Sequence, residues 1–214
     1  VKNLTLSGVD AGLRLEYSDN FQVVESEIID GTSGISFVRS DPLMSRNEIH
    51  GVPTAIDLTS AINPYIYSNV IYDVGTAVRA GDSSVVTLQS NTIDDCTTGL
   101  ILDGSCSAII ASNNITDTSV GVNVGTNVGV KVYSNNFYNT SVPWTGTPDT
   151  SNNITADPLY VDKTGRDYHL QSGSPDIDSG LDTYDSYYMD FDGATRAHST
   201  ASEIGAYEYI DGSH

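Results

Sequence analysis

An apolar residue returns at one phase about every 22 residues through most of this chain: Leu6, Ile28, Ile49, Ile71, Ile93, Ile115 and Phe137. Two residues upstream of the last five stand Asn47, Asn69, Asn91, Asn113 and Asn135. In a repeat this regular each unit contacts mainly its neighbours, so the chain is constrained to a solenoid. Two further apolar columns share the period. One runs Leu13, Ile35, Ile56, Val78, Leu100, Val122 and Trp144, and a Gly or Ala precedes most of its members, as at Gly34, Ala77, Gly99 and Gly121. The other runs Val23, Met44, Ile66, Leu88, Ile110 and Val132.

Between anchors the pattern alternates, as in Leu100-Ile101-Leu102 and Val122-Asn123-Val124. Period-two alternation of Ile and Val predicts strands, and the Asn, Asp, Gly, Ser and Thr between them predict turns. Three short strands per unit wind into a coil, and equivalent strands of successive coils pair in parallel. The fold expected is all-β, a parallel β-helix of about seven coils, roughly 30 Å long at the usual strand spacing. The asparagines fall at turns, where their amides can hydrogen-bond from coil to coil as a ladder. A leucine-rich solenoid overlaps this period. Leu does not dominate the repeated positions, however, and the second half of each unit also reads as strand.

The rhythm breaks near residue 140. Residues 141–153 contain Pro143, Trp144, Gly146 and Pro148 and are expected to form a long loop. Different motifs follow: Asp157-Pro158-Leu159-Tyr160-Val161-Asp162, Asp167-Tyr168-His169-Leu170, Ser174-Pro175-Asp176-Ile177-Asp178-Ser179-Gly180, Asp190-Phe191-Asp192-Gly193 with Arg196, and Glu203-Ile204-Gly205-Ala206-Tyr207. Residues 155–210 resemble the C-terminal segment of many secreted bacterial and archaeal β-helix proteins. The upstream coils resemble the right-handed, pectate-lyase-like parallel β-helix family through their periodicity. This resemblance implies the fold and an extracellular or cell-surface setting. It implies no single reaction, because the family includes polysaccharide lyases, glycoside hydrolases and adhesins.

The organisation expected is coils over residues 1–140, then a loop and capping segment over 141–214. Leu159, Tyr160, Leu170, Ile204 and Tyr207 would cover the open core of the last coil. The start of the chain, Val1-Lys2-Asn3-Leu4, is already in phase. Either earlier coils were cut away or a second copy stacks there head to tail into a filament.

With Lys plus Arg 9, Asp plus Glu 28 and net charge −19, the chain repels nucleic acid and anionic membranes. No stretch of apolar residues is long enough for a membrane span. Four sequons, at Asn3, Asn114, Asn139 and Asn153, are candidate glycosylation sites. Cys96 and Cys106, the only cysteines, read first as separate thiols, with a disulfide as the alternative.

On the outer surface, Asp57 and Arg79 are expected on adjacent coils as an ion pair, and Tyr67 and Tyr133 as aromatic contacts for a polysaccharide. Asp94-Asp95 reads as turn chemistry and the four histidines as structural. Asp176, Asp178, Asp182, Asp185, Asp190 and Asp192 fall within seventeen residues. Hard oxygen ligands of this kind suit Ca²⁺, with Asp190 and Asp192 its first candidates. Tyr184, Tyr187 and Tyr188 in the same stretch could stack on sugars. The functional expectation is a non-enzymatic structural or adhesive protein. The alternative is a lyase, hydrolase or carbohydrate-binding module acting on an outer face.

Overall fold

The structure, a computed structural model, describes residues 1–8, 12–126, 129–181, 189–196 and 201–210. Among these residues there is no helix, and the coils follow the repeat. Coil one comprises β1 (Thr5–Ser7), β2 (Leu13–Glu16) and β3 (Phe21–Val24). Coil two comprises β4 (Glu27–Ile29), β5 (Ile35–Val38) and β6 (Pro42–Ser45). Coil three comprises β7 (Glu48–His50), β8 (Thr54–Thr59) and β9 (Tyr65–Tyr67). In coils four and five the first two strands merge, giving β10 (Val70–Gly81), β11 (Val85–Gln89), β12 (Thr92–Leu102) and β13 (Ser107–Ala111). Coil six has β14 (Asn114–Thr116), β15 (Val120–Val124) and β16 (Val130–Tyr133), and a shortened seventh has β17 (Val142–Trp144) and β18 (Asp149–Ser151).

Every coil-to-coil pairing is parallel and in the register of the sequence columns. Ile28, Ile49, Ile71, Ile93 and Ile115 are successive partners on the first face. Ile35, Ile56, Val78, Leu100, Val122 and Trp144 are partners on the second. Val23 through Val132 line the third. These columns form one buried core, each large side chain contributing about 2 kcal/mol through removal from water.

The corner between the third and first faces is held by the asparagines, all fully buried from Asn47 to Asn135. Asn91 Oδ1 accepts the backbone N–H of Asn69 at 3.0 Å and its Nδ2 at 2.9 Å. Asn91 Nδ2 in turn reaches Asn113 Oδ1 at 2.9 Å and the carbonyls of Ile66 and Gln89 at 3.0 Å. The residue before each asparagine has positive φ: Arg46 at 55°, Ser68 at 51°, Ser90 at 52°, Ser112 at 55° and Ser134 at 54°. Each such bend costs about 1 kcal/mol in a non-glycine residue, and the amide bonds at the corner offset it. The next corner bends the same way at Asp30, Gly51, Asp73, Asp95, Asp117 and Asn139, residue types that tolerate this conformation. The Gly before the second face answers to crowding: a Cβ on Gly121 would sit 2.5 Å from Pro143 O and 2.7 Å from the Phe137 ring.

Two expectations are corrected here. Residues 141–153 are a coil, and no long loop intervenes. β17 pairs with β15, β18 pairs with β16, and Asn153 is the last ladder rung, accepting from Asn135 Nδ2 at 3.1 Å. Proline obscured the strand, yet it is tolerated in β17, which among the described residues has a sheet neighbour on one side only.

The described part of the segment after residue 155 is also no plug for the end of the core. It runs back along the outside of the first face. Its hairpin, β19 (Tyr160–Asp162) and β20 (Asp167–Leu170), packs Tyr160, Tyr168 and Leu170 with Val70 and Tyr72 in a second apolar cluster that includes Tyr207. Leu181 N–H bonds Ser112 Oγ at 2.7 Å, Ala206 N–H bonds Thr92 Oγ1 at 3.0 Å, and Ser68 Oγ donates to Met189 O at 2.8 Å. The segment is thus a strap reaching from coil seven back to coils two and three.

The ladder makes a direct prediction. Asn91→Ala leaves several buried donors and acceptors unpaired on three coils and should cost about 3 kcal/mol or more, read as a lower midpoint in urea unfolding. An effect below about 1 kcal/mol would show that the ladder is not a major support.

Candidate functional site

The first face is where chemistry-bearing side chains gather. Its outward column runs Ile29, His50, Tyr72, Asp94 and Thr116, each on the next coil. Asp94 is fully buried under the strap. Its Oδ1 accepts from Thr116 Oγ1 at 2.6 Å and from Lys163 Nζ at 2.8 Å. Its Oδ2 accepts from Tyr168 OH at 3.0 Å, with Arg166 Nη1 at 3.5 Å. Lys163 also pairs with Asp117, and Arg166 lies 4.6 Å over the Tyr72 ring. Tyr72 donates to Glu48 Oε1 at 2.7 Å and stacks on His50 at 4.6 Å. Burial first, then the Asp94 carboxylate, pushes the Tyr168 hydroxyl far up; burial and then Glu48 do the same to Tyr72. A buried carboxylate is tolerated only when paired and fully hydrogen-bonded, and Asp94 meets that condition with donors from both the strap and the solenoid.

A second junction centres on Arg196, 3 % exposed. It donates to Glu208 Oε1 at 2.7 Å, to the carbonyls of Gly205 at 2.8 Å and Ala206 at 2.7 Å, and to Ser68 Oγ at 3.1 Å. Burial lowers its pKa, against the opposing pull of Glu208. Nearby, burial and then Glu208 push the Glu203 carboxyl well above its ordinary range. His169 bridges two parts of the strap, with Nδ1 2.5 Å from Asp167 and Nε2 2.7 Å from Asp192, its ring 4.1 Å from that of Tyr207. Burial alone would lower the His169 pKa; the two carboxylates more than offset it and hold it above its ordinary value.

Among the described residues a cleft of about 470 Å³ opens between the first coils and the strap. Glu25, Glu27, Glu48, Arg46, Leu4 and the strap's Phe191 line it. Glu27 and Glu48 are register partners on adjacent coils, so their side chains leave the same face side by side. Arg46 pairs with Glu25, whose other oxygen lies 2.9 Å from Lys2 Nζ. The Lys2 hydrogen bond is the largest of the influences on the Glu25 carboxyl, which is held below its usual range. Carboxylates, a guanidinium and one aromatic ring around an open cleft can bind hydroxyl-rich ligands by hydrogen bonds and ring stacking.

The sequence candidates fall elsewhere. Asp57 and Arg79 are register partners as expected, but the Arg79 guanidinium turns to Asp103 at 3.3 Å, an exposed pair of little energetic weight. Tyr67 and Tyr133 share the outer column of the third face. They stand on coils three and six, about 14 Å apart by strand spacing, so they do not form one contact; Tyr67 lies instead 5.3 Å from Tyr65. Asp190, 2 % exposed, gives both oxygens to backbone N–H groups, of Ala194 at 2.7 Å and Glu208 at 3.0 Å, and Asp192 turns to His169. Both Asp190 oxygens and one Asp192 oxygen are thus met by donors of the chain. Among the described residues no three His, Cys, Asp or Glu side chains are grouped to hold a metal.

Asn114 is 1 % exposed and donates to Ile204 O at 3.1 Å, so the folded chain has no room for a glycan there. Asn153 spends its amide on the ladder. Asn3 and Asn139 are exposed, although Asn139 donates to Asp117. Cys96 and Cys106 are separate buried thiols, Cys96 pushed up to about 12 by burial. Asp182, Asp185, Tyr184, Tyr187, Tyr188, His198 and His214 lie outside the described residues.

The coil stack places the chain among known proteins. Residues 1–137 match the family described as right handed beta helix region. The chain belongs to that family. No curated protein matches it. The β-helix match ends where the regular coils end, so it covers neither the strap nor coil seven.

The junctions around Asp94 and Arg196 escaped the sequence reading, which took Asp94 as turn chemistry. A signal was present: Val70 and Tyr72 occupy outward positions, and apolar residues there call for a cover. The His169 bridge yields a test. A histidine whose folded pKa is raised stabilises fully below its unfolded pKa and loses that contribution as pH rises through the folded value. The melting-temperature gap between the parent and His169→Gln should be widest below about pH 6 and shrink at alkaline pH; a gap independent of pH would show that the bridge carries no charge.

Proposed function

We propose that this β-helix is a surface-exposed, extracellular protein with a structural or adhesive role, engaging polysaccharide in the cleft beside Phe191. The observation that carries the non-catalytic reading is how the buried titratable groups are spent. Both Asp94 oxygens, Tyr168 and Arg196 are committed to docking the strap on the first face. Such groups position one part of the chain on another and are closed to a substrate. The cleft supports the adhesive half: Glu27, Glu48 and Arg46 offer polar contacts on a rigid sheet, and Phe191 a ring to stack against a sugar.

Purified protein screened against uronate-containing and neutral polysaccharides should bind at least one class without cleaving it. Phe191→Ala and Glu27→Gln should each weaken that binding about tenfold, the equivalent of 1.4 kcal/mol. Clear turnover of any polysaccharide would overturn the non-enzymatic reading and favour a lyase or hydrolase.

Self-assembly is a second reading, favoured by one observation. Among the described residues β17 and β18 each pair on one side only, so coil seven offers edges on which a second copy can continue the parallel stack. Pro143 and Asp149 on those edges work against it. Electron microscopy across salt and pH decides: filaments with a coil-spacing repeat support assembly, and monodisperse particles throughout eliminate it.

A further inference from the structure

Where the strap leaves coil seven it seals three side-chain oxygens that no donor meets: Asn114 Oδ1, Asn136 Oδ1 and Asp176 Oδ2. Their residues are 1 %, 0 % and 0 % exposed. Asn114 and Asn136 are parallel bridge partners on successive coils, both facing out under the strap. Their amide orientations are set. Asn136 Nδ2 donates to Ala156 O and to Asp176 Oδ1, each at 2.8 Å, and Asn114 Nδ2 donates to Ile204 O at 3.1 Å. Asp176 is fastened above them: its carbonyl accepts the Ile204 N–H at 3.0 Å and its N–H reaches Ser174 Oγ at 3.2 Å. The buried Tyr160 hydroxyl lies near enough to feel the Asp176 charge.

All three oxygens are acceptors whenever the Asp176 carboxyl is ionised. Burial pushes the Asp176 carboxyl up to about 7 even though the Asn114 and Asn136 side chains hydrogen-bond it; Asp157 adds a second acid, and no Lys, Arg or His acts on it. Each orphaned buried acceptor is costly, and an uncompensated buried carboxylate more so. One water donates two hydrogens and leaves an acceptor and the charge unmet. A hard cation satisfies oxygen ligands of this kind together and cancels the charge. We propose that Asp176, Asn114 and Asn136 hold a calcium ion between coils six and seven and the strap, pinning the strap where it begins. The site is distinct from Asp190, both of whose oxygens accept backbone N–H groups, and from Asp192, which meets His169 through Oδ2.

The full chain, stripped with EDTA, is melted with and without calcium chloride, and retained calcium is counted after dialysis. The expected result is about one ion per chain and a melting temperature about 5 °C higher with saturating calcium. Asp176→Asn should abolish both effects, while melting without metal no lower than the stripped parent because a buried charge is gone. Asp192→Asn should keep both effects. A parent that retains no calcium and melts identically in EDTA and calcium would overturn the proposal and leave a protonated Asp176 or buried water as the occupant. Calcium binding that survives Asp176→Asn would overturn it equally.

Discussion

The asparagine ladder is the interaction on which the rest depends. Coils of this length can pair in many registers that still bury apolar side chains, because Ile, Leu and Val at neighbouring positions are interchangeable in transfer energy. An amide that must accept from the coil before it and donate to the coil after it has one register. Asn69, Asn91 and Asn113 each bond both neighbours and two carbonyls besides. Their burial is favourable only when the whole column is aligned. The positive-φ residue before each one makes the corner tight enough to bring the amides into contact.

A rigid stack creates flat outer faces, and the first face is the one the protein covers. The strap joins it through a carboxylate at Asp94 and a guanidinium at Arg196, each ringed by partners from both surfaces. These junctions cost desolvation and confer position more than stability. Their effect is to decide which part of the face stays open. The cleft at Glu27, Glu48 and Arg46 is bounded on the strap side by Phe191, so the C-terminal segment sets part of the edge of the candidate binding surface.

The coils were legible because every position in the interior is repeated, and repetition averages away the ambiguity of any single residue. Coil seven was harder to read: its step from Asn135 to Asn153 is 18 residues and Pro143 interrupts the strand. The binding candidates were read least well. Asp57 and Arg79 were placed correctly in register, but which neighbour a long exposed side chain selects depends on small differences in reach, and Arg79 takes Asp103. Asp94 looked like a turn residue because the partners that bury it lie about 70 residues away.

What the sequence determined by itself was the stack: strand phase, core columns, ladder and corner residues, all consequences of local alternation and a constant period between neighbouring units. What only the tertiary structure decided was the course of the strap, and with it the burial of Asp94 and Asp176 and the position of the open cleft. The reason is that strap contacts occur once each. Val70 with Tyr168, or Ser68 with Arg196, join residues far apart in the chain with no period to announce them, and only the packed molecule brings such pairs together.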